Sequence, residues 1–120
     1  LKDANLSGAN LKDANLAGAN LTGANLHRAD LWGARLTGAD LTSVDLTYSN
    51  MTGANMTGTE LSRSDLSGAN LTFVNLSDAR LYGATFTVAH LTGANLDGSV
   101  GASLQDALHV PLKYQLDDFR

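Results

Sequence analysis

Every fifth residue from Leu1 to Leu96 is apolar, seventeen leucines with Met51, Met56 and Phe86 holding the other three places. That period fits neither a helix of 3.6 residues per turn nor an alternating strand, so both regular readings fail and the chain reads as a repeat array. Two places before each centre the residue is small, Ala except at Val44, Ser49, Thr59, Ser64, Val74 and Ser99. The residue just before the centre is usually Asn or Asp.

One unit, Ala19-Asn20-Leu21-Thr22-Gly23, shows what backbone this pattern demands. Three extended residues put Ala and Leu on one side and Asn on the other, because side chains alternate across a strand. Leu21, Thr22 and Gly23 must then turn a corner so that Ala24 faces inward again. Gly23 falls where a type II turn needs positive φ. Gly holds that corner slot eleven times, and Asp3, Asp13, Arg28, Ser43, Tyr48, Arg63, Phe73, Asp78 and Val88 hold the other nine. Positive φ is costly for a bulky residue, so corners of mixed turn type are expected.

Right-angled corners would close a square after four units, giving an all-β solenoid of about five coils over residues 1–100 and a rod of roughly 24 Å at the strand spacing. A three-sided section is still open to the residues themselves. Strings such as Ala4-Asn5-Leu6-Ser7-Gly8 and Ala39-Asp40-Leu41-Thr42-Ser43 resemble the pentapeptide-repeat family over about five-sixths of the chain. The resemblance implies a right-handed, quadrilateral parallel β-helix with Leu and Ala stacked inside.

The chain has 120 residues, no Cys and no apolar run long enough for a membrane span, which describes one domain without disulfides. A net charge of −4 works against nonspecific nucleic-acid binding, which wants a basic surface. No membrane partner is expected. The sequence opens at Leu1 in mid-repeat without a signal peptide, so an upstream segment, removed or left out, is expected. The compartment is not set by these residues.

The period ends at Leu96 and the chemistry changes. Ser103-Leu104-Gln105-Asp106 resembles a capping box opening a short helix, and Pro111 stops it. Leu108, Leu112, Leu116 and Phe119 recur at helical spacing. Residues 101–120 are therefore expected to form a short α-helical cap over an apolar coil end that would otherwise pair edge to edge.

No catalytic constellation emerges. His27, His90 and His109 fall on different faces or in the cap under a twenty-residue register, so no shared metal or acid–base site is expected, and no cofactor. The abundant Ser and Thr suit corners, and no helix follows the glycines before residue 103 to make a phosphate loop. Stacking turns outward side chains into columns, and two surfaces are candidate partner sites. Asp40, Asp45, Glu60 and Asp65 converge across one corner, where mutual repulsion should raise their pKa values and Arg63 and Arg80 lie near. Trp32 and Phe73 share another wall two coils apart, about 10 Å by the strand spacing. The column of Asn15, Asn55, Asn75 and Asn95 is expected to hydrogen-bond along the stack.

The leading expectation is a non-enzymatic scaffold for a protein partner, as a monomer or an end-to-end homodimer. The resemblance implies a cyanobacterial or other bacterial protein of unknown role. Its alternative, also implied by the resemblance, is an acidic mimic of B-form DNA that inhibits or protects DNA gyrase. Against that alternative stand the small net charge and the arginines interleaved with the acids at Arg28, Arg35, Arg63 and Arg80.

Overall fold

In a computed structural model that describes residues 1–115, the backbone pairs with itself at a constant offset of twenty residues. Parallel bridges link Asn5 to Asn25, Asn10 to Asp30, Asn15 to Arg35 and Asn20 to Asp40, and this ladder climbs to Arg80 with Val100. Four corners separate each paired residue from its partner, which settles the section as four-sided. The two transverse extents, 20 and 19 Å, agree with sides of equal length.

The corners are uniform, in contrast to the expected mixture. At each, the residue in the slot has positive φ: 65–73° for the glycines up to Gly98 and 50–59° for the nine bulkier residues. A 4→1 hydrogen bond accompanies each of them, as in Ala24 N–H to Leu21 O (2.9 Å) and Ser49 N–H to Leu46 O (3.1 Å). Away from the two ends the ladder bonds each corner to the coils on both sides, so the stack imposes the conformation and the side chain bears the strain.

Inside, the centre-slot residues from Leu21 through Leu96, Met51, Met56 and Phe86 among them, are buried. Ser49, Ser64 and Ser99 replace inward Ala and turn their hydroxyls back to Leu46 O, Leu61 O and Leu96 O (2.8, 2.6 and 2.7 Å). Thr59 is fully buried, and its Oγ1 has no partner among the described residues. At the N-terminal edge Leu6, Leu11 and Leu16 are half-buried and Leu1 is 59% exposed, because no coil in the structure lies beyond them.

No α-helix forms after residue 100 among the described residues; the only helical turn is a 3₁₀ turn at Leu112–Tyr114. Leu104 to Ala107 instead makes one more corner (Ala107 N–H to Leu104 O, 3.1 Å), and Leu108 pairs with His90 at an offset of eighteen. The physical reason is competition. A helix of under ten residues is marginal in water, whereas Leu104 and Ala107 supply the inward pair of a repeat unit to a coil with open bonding groups. Of the expected helical stripe, Leu108 and Leu112 are exposed, and Leu116 and Phe119 lie outside the described residues.

Candidate interaction surfaces

The Asn/Asp slot is the part of the repeat that sequence reasoning left without a local role. Its side-chain oxygen accepts the backbone N–H two residues on, at the start of each corner: Asn20 from Thr22 (3.1 Å), Asp30 from Trp32 (3.1 Å), Asn55 from Thr57 (3.1 Å), Asn95 from Asp97 (2.9 Å). These are Asx turns, which satisfy an N–H that the ladder leaves over. The expected bonding of Asn15, Asn55, Asn75 and Asn95 along their column is thus replaced by bonding to each residue's own corner. A bond between coils does occur elsewhere, from Asn50 Nδ2 to Asp30 Oδ1 (3.4 Å).

The acidic corner assembles as the register requires, with Asp40 bridged to Glu60 and Asp45 to Asp65. Each carboxylate is already occupied. Asp40 Oδ1 accepts from the Thr42 N–H and hydroxyl (3.0 and 2.7 Å), Asp45 Oδ1 from those of Thr47 (2.9 and 2.5 Å), and Asp65 from Ser67 N–H (2.9 Å). Glu60 accepts from the Ser62 hydroxyl and N–H and forms an ion pair with Arg80 (3.3 Å). The expected upward pKa shift is reversed at Asp40: the Thr42 hydroxyl, then the Thr42 N–H, with help from Thr22, holds its carboxyl below the ordinary value. Donors fixed by the turn outweigh the desolvation that alone pushes this carboxyl upward. Arg63 makes no ion pair with the four acids among the described residues, and its stem lies across Gly83.

The Asp45 carboxylate also anchors a surface chain. Thr47 Oγ1 meets His27 Nδ1 (2.7 Å), and Arg28 Nε donates to His27 Nε2 (3.2 Å). The guanidinium of Arg28 lies 5.7 Å from the centre of the Tyr48 ring, which His27 meets edge-on.

Trp32 and Phe73 lie on one corner two coils apart, in adjacent columns, 46% and 67% exposed. Lys12 Nζ lies 5.7 Å from the Trp32 ring centre. The Phe73 ring covers Gly93 so closely that a Cβ there would come within 2.5 Å of it. In the coil between the two aromatics a Cβ on Gly53 would meet no atom within 4 Å, leaving a bare step in the wall. Tyr48 covers Gly68 in the same manner. The signal that would have found these contacts is a large corner residue followed by Gly twenty positions on.

The histidines are not all apart. The two-residue shortening of the last coil stacks His90 on His109, with ring centres 5.4 Å apart. Tyr114 is buried; its hydroxyl accepts from Leu96 N–H (2.9 Å) and donates to Asp97 (2.6 Å), which also pairs with Lys113 (2.9 Å). The Tyr114 hydroxyl and Lys113 together lower the Asp97 pKa, and Asp97 with Tyr114 raises that of Lys113. No helix among the described residues is long and apolar enough to cross a membrane.

A sequence model described as pentapeptide repeats, in eight copies, matches residues 1–38, 24–63 and 64–100. Among solved structures, a pentapeptide-repeat protein from Nostoc is 40% identical with a TM-score of 0.62, over 62% of this chain and 62% of that one. The present chain therefore spans about three-fifths of that relative's length. A pentapeptide-repeat protein from the cyanobacterium Cyanothece is 30% identical over 82% of this chain and 88% of its own, with a TM-score of 0.42. A plasmid-mediated fluoroquinolone resistance protein, 22% identical, covers 88% of this chain and 65% of its own at a TM-score of 0.54, a likeness of fold. No curated protein matches by sequence.

Proposed function

The chain belongs to the pentapeptide-repeat family, and we propose that it is a non-enzymatic scaffold, a right-handed, four-sided rod of about five coils that presents side chains at fixed spacing to a protein partner. The observation that carries this reading is the exposure of Trp32 and Phe73 on one corner of a rigid wall, 46% and 67%, with an open step at Gly53 between them. Exposed aromatics on a preorganised backbone lose little entropy on binding and are the commonest anchors of interfaces. The acids at Asp40, Asp45, Glu60 and Asp65 are second in rank, since each bonds to its own corner and Glu60 is paired. They serve better as a polar rim that steers a basic partner.

Paired baits test this. A protein captured by the wild type and by Asp45→Asn/Asp65→Asn, and lost from Trp32→Ser/Phe73→Ser, supports the aromatic corner. Equal capture by the aromatic variant overturns it. The DNA-mimic reading has less behind it, because Arg80 neutralises Glu60 and the net charge is only −4. Inhibition of gyrase supercoiling by the purified chain would restore it.

A further inference from the structure

We propose that His90 and His109 form a binding site for a divalent late transition-metal cation, such as Zn²⁺, at the seam where the shortened coil meets the regular stack. Their rings lie 5.4 Å apart between centres with planes inclined by 24°. The backbone sets this meeting: His90 bridges Leu108, while Leu108 N–H donates to Ala89 O (2.7 Å) and Leu91 N–H to Leu108 O (2.9 Å). His109 follows directly, at a φ of 54°.

Their polar surroundings separate these two imidazoles from the third. His27 has both ring nitrogens engaged, by Thr47 and Arg28. Among the described residues neither the His90 nor the His109 side chain has a hydrogen bond or ion pair, so their ring nitrogens are open to a ligand. Two imidazoles on one tetrahedral zinc, with Zn–N near 2.0–2.1 Å, hold their ring centres about 5 Å apart. Rotation about the Cβ–Cγ bond is soft, so each ring can turn a nitrogen into the shared space. Imidazole suits zinc, copper and nickel and discriminates against calcium and magnesium. No third His, Cys, Asp or Glu joins them among the described residues, so water completes the shell and binding is weaker than in a structural zinc site. The cation would tie residue 109 to residue 90 and fasten the closing segment to the rod.

Titration of the 120-residue chain with zinc chloride, followed by calorimetry and thermal melting, tests this. One saturable site is expected, with a rise in Tm on adding zinc. Both effects should disappear in His90→Ala and in His109→Ala and persist in His27→Ala. His90→Phe keeps a flat ring for stacking and removes the nitrogens, so it should fold as the wild type and lose zinc. The proposal is overturned if the wild type shows no saturable zinc binding, or if His90→Phe or His109→Ala binds as well as the wild type.

Discussion

At a corner of this rod the backbone takes positive φ whatever the side chain. Val88 is the extreme case, a β-branched residue at a φ of 50°, in a region that costs such residues of order 1–3 kcal/mol. Asn tolerates that region through local hydrogen bonding. Val88→Asn should therefore stabilise the chain by about 1 kcal/mol in urea melts, and a loss of stability would show that Val88 packing outweighs its strain. Inward residues answer to burial. Leu46 is enclosed by coils on both sides whereas Leu6 is half-buried at the edge. Leu46→Ala should cost about 2–5 kcal/mol and Leu6→Ala clearly less, since less area and a smaller cavity are involved. At Asp40 the folded carboxyl ionises below its ordinary value of 3.8. Its stabilising contribution is thus present above that value and lost as pH falls through the lowered pKa. Thr42→Val removes the first donor, so NMR titration should find the Asp40 pKa moved back up.

At the scale of the element, the last coil is two residues short of the regular twenty, and Tyr114 closes over it beside its ladder bonds. The Tyr114 hydroxyl satisfies Leu96 N–H and is itself bonded to Asp97, beside the Lys113–Asp97 pair. Tyr114→Phe leaves that N–H unpartnered, a loss of about 1–3 kcal/mol if it stays dry. Hydrogen exchange at the Leu96 amide should quicken in the variant while amides in the middle coils keep their rates. Uniform quickening would mean that the segment folds as one unit with the rod.

For the whole molecule, the ladder gives each coil a partner on both sides except at the ends. Removing residues 101–120 uncovers the bonding groups and the apolar interior of the last coil, including Leu91 and Leu96. The truncated chain should self-associate by light scattering while its β-rich circular dichroism persists. A truncated chain that stays monomeric at high concentration would show that the flanking edge is protected by other means.

The five-residue period by itself determined the inward Leu and Ala positions and the position of every corner, because burial in a repeat array is fixed by spacing. The family resemblance lay in the same strings and implied the four-sided section, which the bridges at an offset of twenty then established. Three features were decided only by the tertiary structure. Corners such as Phe73 and Val88 match Gly because ladder bonds from neighbouring coils override local preference. Asp40 and its fellow acids turn to their own corners because the turn supplies fixed donors nearer than any neighbour in the column. The stretch after Gly101 becomes a coil instead of a helix because an open coil end offers it hydrogen bonds and an apolar surface that a short helix in water lacks. That last choice also removes two residues from the register, which brings His109 to His90.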